Sequence, residues 1–223
     1  DLFPDRIIMG SETFSTGIGK NWELVKRHDH VIGDFAWTGW DYLGEAGIGR
    51  ANYQTSAGAR PSVLAAYPYL LAYCGDIDIT GHRRPASYYR EIVFGLRAQP
   101  YIAVLRPEHH GKMFNATPWA WSDTVSTWSW PGCEGSAVTV EVYSDADEVE
   151  LQLDGRSLGR RPAGPEHGFK AEFDTVFQPG ELLAIVYRAG VETRRHSLRS
   201  AQGKVVLRVE AERVVISAAD GDL

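Results

Sequence analysis

Two short apolar runs lie near the start of the chain, at residues 6–10 and 30–37. Uninterrupted apolar runs of this length are typical of strands that are buried on both faces of a sheet. Residues 21–28 between them carry a helical pattern, so the three segments predict a βαβ unit with parallel strands. Parallel strands end at the same edge of a sheet, and we expect the polar and aromatic residues that follow each run to meet there.

The segments that follow this unit predict a loop and a second helix. Residues 46–62 are rich in Gly, Ala and Ser without any period, which predicts a long loop, and long loops in compact domains are usually functional or mobile. Residues 85–96 predict a helix, because Pro85 suits a first turn and Tyr88 and Ile92 fall on one stripe.

Beyond residue 100 apolar and polar residues alternate, which is the period of a half-buried strand. Turn signals separate the segments, among them the hairpin signature Asp154-Gly155. Short strands at this spacing predict an antiparallel sandwich of immunoglobulin type. The predicted strands are 137–143, 148–153, 169–173, 182–187 and 191–198, with a further pair at 205–209 and 213–216.

Composition and charge exclude several classes of protein. The formal net charge is −6, with acidic and basic residues interspersed, so no basic face predicts binding to nucleic acid. No apolar run approaches the roughly 18 residues of a membrane span. Cys74 and Cys133 are too few for a disulfide framework or a zinc cluster, and the histidines lack metal-ligand spacing. We therefore expect no cofactor, no metal site, no nucleic-acid partner and no membrane partner.

Glu12 is the first candidate for chemistry. It follows the first apolar run, and α/β folds place their reactive groups at the carboxyl ends of parallel strands. The alternative is that Glu12 caps the next helix or pairs with a base, and the spacing alone leaves both open. Ser11 and Thr13 are polar neighbours that suit a carboxylate which must stay ionised.

Four tryptophans crowd into twelve residues of the second half: Trp119, Trp121, Trp128 and Trp130. Alternating tryptophans suit one face of a strand, which predicts residues of the core or of a domain interface. The alternative is an exposed platform on which sugar rings stack, because tryptophan has an apolar face as well as a polar N–H.

Several blocks of sequence carry a family resemblance: Gly10-Ser11-Glu12-Thr13, residues 33–45, residues 74–90, and residues 146–151 with 154–159. They resemble glycoside hydrolase family 2, in particular its multi-domain bacterial β-galactosidases, over essentially the whole chain. The resemblance implies a (β/α)8 catalytic barrel. It also implies that Glu12 is the catalytic nucleophile at the end of the seventh barrel strand, and that Trp37, at the end of the eighth, forms the aromatic wall of the galactose subsite.

The resemblance makes three residues after Trp37 candidates for substrate binding. Asp41 and Tyr42 can hydrogen-bond sugar hydroxyls, and the alternative for Asp41 is an Asx hydrogen bond that fixes the loop. Trp40 is a further candidate, for which the alternative is packing within the barrel.

The acid/base residue of these enzymes is missing from the chain. In the family it is a Glu directly after an Asn, and no Asn-Glu dipeptide occurs here. A whole barrel needs about 250 residues, yet only about 100 precede the sandwich. We therefore predict that residues 1–100 are the C-terminal portion of a TIM barrel, that residues 101–202 are an immunoglobulin-like sandwich, and that residues 203–223 are a linker and the start of a further β domain.

Such a fragment is expected to be inactive alone and to need the remainder of its parent chain, or a second copy, to complete the barrel. An incomplete barrel leaves a sheet edge and apolar faces open. The predicted parent is a retaining exo-β-galactosidase that hydrolyses terminal β-galactosides through a covalent glycosyl-enzyme on Glu12. The alternatives are a β-glucuronidase or β-mannosidase of the same family, or a carbohydrate-binding scaffold module.

Overall fold

The structure is a computed structural model that describes residue 3, residues 5–53 and 63–204, and residues 206–211, 213, 215, 217 and 219. Within that part of the chain, a small α/β unit comes first and a larger antiparallel β structure follows. Residues 54–62 of the predicted long loop lie outside the described residues.

The predicted βαβ unit is confirmed. Strand β1 (Ile8–Thr13) pairs in parallel with strand β2 (Val31–Ala36), and helix α1 (Ile18–Arg27) connects them. The register places Gly10 beside Asp34, where a Cβ atom on Gly10 would lie 2.9 Å from the Asp34 Cβ. A glycine is needed there because the two strands approach too closely for a side chain.

The prediction that both strands are buried on both faces is wrong for this chain. Ile7 beside β1 is 75% exposed, and Phe35 in β2 is 60% exposed. The sheet has only two strands, and among the described residues no second layer covers these side chains.

The predicted second helix is confirmed, with a different end. Helix α2 (Pro85–Val93) stops three residues early, and Gly95 follows with a φ of 72°. The Gly95 N–H donates to the carbonyl of Ile92, and the Leu96 N–H donates to the carbonyl of Glu91. These two bonds form a Schellman motif, in which a left-handed glycine ends the helix.

Within the described part of the chain, eight antiparallel strands form two sheets. Strands β3 (Tyr101–Leu105), β4 (Thr124–Val125), β5 (Ala137–Tyr143) and β8 (Lys170–Val176) make one sheet in the order β4-β3-β5-β8. Strands β6 (Glu148–Leu153), β7 (Arg156–Pro162), β9 (Glu181–Arg188) and β10 (Val191–Arg199) make the other, in the order β10-β9-β6-β7. Setting β4 aside, this order is that of the A-B-E and G-F-C-C′ sheets of immunoglobulin domains.

The two sheets enclose one core. Inward-facing residues of both, such as Val140 and Leu151, are completely buried and belong to one cluster. Trp128 is 0% exposed in that cluster, and its indole N–H donates to the Gln178 carbonyl at 3.0 Å. The prediction that this tryptophan is a core residue is confirmed.

A second cluster joins the α/β unit to the first sheet. Ile18 of α1 and Ile92 of α2 pack in it with Tyr101, Tyr143 and Phe169 of the β structure. The hydroxyl of Tyr89 in α2 also donates to the carbonyl of Gly168 at 2.9 Å. The interface between the α/β unit and the first sheet therefore combines apolar packing with a hydrogen bond.

The predicted strand pair after residue 203 is not present in the described residues there, none of which lies in a strand. Residues 205, 212, 214 and 216, which belong to that prediction or border it, lie outside the described part.

Candidate active site

Glu12 lies near the carboxyl end of β1 with its side chain exposed to solvent. Its Oε1 accepts a hydrogen bond from the indole N–H of Trp119 at 3.2 Å. The alternative that Glu12 caps the following helix is excluded, because α1 has Gly17 at its N-cap and no side-chain cap. Among the described residues no Lys, Arg or His forms an ion pair with Glu12 either, so its carboxylate is open to a ligand.

Trp37 follows directly after β2 and is 37% exposed. Its backbone N–H donates to the Thr13 carbonyl at 3.0 Å, which places Trp37 beside the end of β1, one residue beyond Glu12. Its indole N–H donates to the Tyr42 hydroxyl at 3.1 Å, and the two rings meet edge to face. The two strand ends that the sequence predicted to meet therefore do so.

Tyr42 is half-buried and links Trp37 to a further carboxylate. Its hydroxyl accepts from Trp37 and donates to Glu45. Burial, together with the hydrogen bond to Glu45, raises the pKa of Tyr42, while the bond from Trp37 acts in the opposite direction. The phenol therefore stays protonated at neutral pH, which keeps the bond to Glu45 and fixes the Trp37 ring.

Asp41 does not lie where a sugar can reach it. Its side chain has no exposed surface, and its Oδ2 lies 2.7 Å from Nη2 of Arg84. A carboxylate enclosed in this way cannot contact a sugar hydroxyl, so the predicted substrate-binding role is wrong. The loop is fixed by this ion pair, and not by the Asx bond that the sequence suggested.

Trp40 is 57% exposed, and its backbone bridges to that of Ile77. Among the described residues its ring is not enclosed by a core, so the packing that the sequence suggested is not present in this chain.

Trp119 is the residue of the site that the sequence did not predict. It lies between β3 and β4, separated by 107 residues from Glu12, and no local pattern marks such a contact. Its ring packs edge to face on Phe14, with centroids 5.0 Å apart. It also packs against a small cluster of Ile48, Ala72 and Cys74, and Tyr42 packs against the same cluster. This cluster therefore links Trp119 and Glu12 to Tyr42 and Trp37.

A cavity of about 760 Å³ adjoins Trp119. Its lining comes from the α/β unit, the segment before α2 and the β structure, and includes Ser15, Tyr73, Arg84, Tyr101, Trp119 and Trp121. Trp119 thus contacts Glu12 with its N–H and borders this cavity, which is large enough for a small ligand.

Two further features concern metal binding and the cysteine thiol near the site. Within the described ranges, no group of three or more His, Cys, Asp or Glu residues could hold a metal ion. Burial raises the pKa of Cys74 to about 12, with the nearby charge of Asp41 acting in the same direction, which favours the protonated thiol over the thiolate. Neither described α-helix has the length and apolar character to cross a membrane.

The chain is similar in sequence to known proteins. A family model described as a domain of unknown function (DUF4982) matches residues 135–194. The chain is 28% identical over 184 residues to a Formosa agariphila protein named "Putative beta-glucuronidase", over 82% of this chain and 14% of that protein. It is 22% identical over 201 residues to the beta-galactosidase BoGH2A of Bacteroides ovatus, over 90% of this chain and 19% of that protein.

A solved structure is similar over a comparable range. A glycosyl hydrolase family 2 member from Bacteroides cellulosilyticus is 35% identical, with a TM-score of 0.76, over 94% of this chain and 27% of that chain. The chain therefore spans about a quarter of that structure and less than a fifth of the two curated relatives. These similarities cover the α/β unit as well as the sandwich. The chain belongs to glycoside hydrolase family 2.

Proposed function

We propose that the chain is part of a retaining glycoside hydrolase in which Glu12 is the catalytic nucleophile. The observation that carries the proposal is the position of Glu12. Its exposed carboxylate lies near the carboxyl end of a parallel strand, and Trp119 donates a hydrogen bond to it. Trp37 follows the neighbouring strand and donates its backbone N–H to the carbonyl of Thr13, the residue after Glu12. Solved and curated relatives named as glycosidases support the same reaction class.

In this reaction the Glu12 carboxylate attacks the anomeric carbon of a bound glycoside. A bond forms between a carboxylate oxygen and that carbon, the glycosidic C–O bond breaks, and the leaving oxygen takes a proton from an acid. The same acid, now a base, activates water to hydrolyse the glycosyl ester. Retaining enzymes hold the two carboxyl groups about 5–5.5 Å apart, and we propose that another part of a longer parent protein supplies the second one.

The proposed parent also supplies the rest of a barrel. We propose that residues 1–100 are the C-terminal portion of a (β/α)8 TIM barrel, that 101–202 are its immunoglobulin-like neighbour, and that 203–223 lead into a further domain. The exposed apolar side chains of Ile32 and Phe35 are the surface that the remaining barrel strands, or a second copy of the chain, would cover.

We propose a terminal β-galactoside as the substrate, with Trp37 as the aromatic wall of the sugar subsite. Trp40 and Tyr42 are further candidates for sugar contacts, because the Trp40 ring is exposed and the Tyr42 hydroxyl lies against Trp37. A β-glucuronide is the second candidate, because the Formosa agariphila relative is named a putative beta-glucuronidase. The Bacteroides ovatus relative is named a beta-galactosidase. A β-mannoside is the third.

The geometry argues against a carbohydrate-binding module in which the sandwich tryptophans form the platform. Trp128 is 0% exposed. Trp121 donates its N–H to the Tyr143 hydroxyl at 3.0 Å, at the interface between the α/β unit and the first sheet. A ring that is fully enclosed cannot stack on a sugar.

The test is the substitution Glu12→Gln in the full-length protein, assayed against nitrophenyl β-galactoside, β-glucuronide and β-mannoside. Loss of the nucleophile is expected to lower kcat by on the order of 10⁴-fold or more on the substrate that the wild type prefers. Glu192→Gln is the matched control, because Glu192 pairs with Arg195 on the surface of β10. Wild-type turnover by Glu12→Gln would overturn the assignment.

A further inference from the structure

We propose that Trp119 is a positioning residue, which holds the Glu12 carboxylate in the orientation needed for attack. The inference rests on the proposed function and extends it, because it assigns part of the catalytic arrangement to the β structure. It requires that the hydrogen bond is held firmly, that it acts on one carboxylate oxygen, and that no other side chain of the described residues restrains Glu12.

The Glu12 carboxylate has one restraint among the described residues. The Trp119 N–H donates to Oε1 at 3.2 Å, and Oε2 has no hydrogen-bond partner there. The terminal torsion of a glutamate is broad, so a carboxylate without partners samples many orientations. A hydrogen bond to an ionised oxygen is stronger than one between neutral groups, so it can favour one of these orientations of the carboxylate.

The donor itself cannot move freely. The Trp119 ring packs edge to face on Phe14 and lies against the cluster of Ile48, Ala72 and Cys74. The turn that carries it is tied down on one side, because the Thr117 hydroxyl donates to the Ile48 carbonyl. The position of the indole N–H is therefore set by packing from several segments.

The segment that carries Trp119 also contacts the residues that follow β1. The Thr16 hydroxyl lies 3.5 Å from the Pro118 carbonyl, at the limit of a hydrogen bond, and the Ala120 N–H closes the turn on the Thr117 carbonyl at 3.1 Å. The segment between β3 and β4 thus docks directly beside the end of β1, where Glu12 lies.

The chemistry that follows assigns different roles to the two oxygens of Glu12. With Oε1 held by Trp119, Oε2 is the atom that bonds to the anomeric carbon as the glycosidic C–O bond breaks. The leaving oxygen takes its proton from the acid proposed above. In the ester Oε1 becomes the carbonyl oxygen and keeps the Trp119 N–H as a donor, and hydrolysis by water returns the carboxylate. Misplacement of a reacting group by about 1 Å can lower a rate about 100-fold.

The kinetic test compares Trp119→Phe with Trp128→Phe in the full-length protein. Both variants keep an aromatic ring and lose one indole N–H, but the Trp128 N–H donates to the Gln178 carbonyl in the sandwich core and not to Glu12. For Trp119→Phe we expect kcat to fall about 10- to 100-fold while KM changes less than about threefold, and Trp128→Phe to stay within about threefold of wild type. An unchanged kcat for Trp119→Phe, or an equal loss in both variants, overturns the positioning role.

A spectroscopic test separates this inference from the reaction itself. In the 223-residue chain with ¹⁵N-labelled tryptophan, the Trp119 indole cross-peak is identified by its disappearance in Trp119→Phe. We expect Glu12→Ala to shift that cross-peak and to leave the Trp128 cross-peak in place, and an unshifted Trp119 cross-peak overturns the inference. If Glu12→Gln is inactive and Trp119→Phe is unimpaired, only the positioning role fails. If Glu12→Gln is fully active, the proposed function fails and the positioning role fails with it.

Discussion

Arg84 Nη2 lies 2.7 Å from Asp41 Oδ2, and this ion pair joins the loop after β2 to the residue before α2. The Asp41 carboxylate is buried, and its Oδ1 has no hydrogen-bond partner among the described residues. The segment at Gly75 also approaches this loop closely, because a Cβ atom on Gly75 would lie 2.4 Å from the Asp41 backbone nitrogen. The ion pair and the close approach at Gly75 therefore both help to hold the loop that carries Trp37 and Tyr42, together with backbone hydrogen bonds such as that from Asp41 to Ile77.

Replacing Arg84 by Met is expected to lower the free energy of unfolding by about 3–5 kcal/mol, because it leaves a buried carboxylate without its partner. Arg83→Met is the control. Arg83 pairs with Glu91 at a partly exposed position, and its loss is expected to change stability by about 1 kcal/mol or less. Urea unfolding followed by circular dichroism measures both, and equal effects would contradict a special role for the Arg84 pair.

Two tryptophans of the sandwich are expected to respond differently to loss of the indole N–H. The Trp128 N–H donates to the Gln178 carbonyl, so Trp128→Phe leaves that acceptor unpaired and should lower stability by about 1–3 kcal/mol. The Trp130 Nε1 is buried and has no partner in the described structure, so Trp130→Phe removes an unsatisfied donor and should be nearly neutral. The midpoints of urea unfolding compare them. A larger loss for Trp130→Phe would show that its N–H is bonded.

Stability is expected to depend on pH through His196. Burial lowers the pKa of His196, and the charge of Arg97 acts in the same direction. Its Nδ1 accepts the Ile102 N–H at 3.1 Å, which requires the neutral ring. The unfolded chain therefore binds more protons at this site than the folded chain, so the stabilising contribution is complete above the unfolded pKa of about 6.5 and is lost as pH falls below it.

The substitution His196→Asn keeps an acceptor and removes the titration. We expect it to flatten the decrease in stability between pH 7.5 and pH 5, as measured by urea unfolding at each pH. His110→Asn is the control, because His110 is exposed, and it should leave the pH dependence as in the wild type. An unchanged pH dependence in His196→Asn would contradict the argument.

The parts of the fold that the sequence predicted are those set by local pattern. Strands β5 and β6 have the predicted bounds, because in both the apolar residues alternate with others and face the core between the sheets. The hairpin at Asp154-Gly155 has positive φ at both residues, which is the type I′ geometry that this dipeptide favours.

The parts that the sequence did not predict depend on distant partners. The exposure of Phe35 follows from which layers the chain contains, and an apolar run does not carry that information. The pairing of Asp41 with Arg84 and the bond from Trp119 to Glu12 join residues 43 and 107 positions apart. Local pattern made Glu12 a candidate and the family resemblance added Trp37, but the neighbours that hold them emerge only from the folded chain.

Tyr42 provides a functional prediction that depends on the same neighbours. In the full-length protein, Tyr42→Phe removes the acceptor of the Trp37 N–H, and we expect kcat/KM to fall about tenfold because the ring loses its anchor. Tyr187→Phe is the matched control, since the Tyr187 hydroxyl donates to Glu150 on the second sheet at 2.8 Å. Nitrophenyl glycoside kinetics measure both, and equal kcat/KM values for the two variants would contradict the prediction.

The most direct test of the central claim is to identify the residue that becomes covalently bound to the sugar. The full-length protein is treated with a 2-deoxy-2-fluoro glycosyl fluoride of the preferred sugar, which slows hydrolysis of the glycosyl ester, and its peptides are mapped by mass spectrometry. We predict that the added mass of one fluorosugar is found on Glu12. An adduct on another carboxylate, or turnover with no adduct at all, would contradict the assignment of Glu12 as the nucleophile.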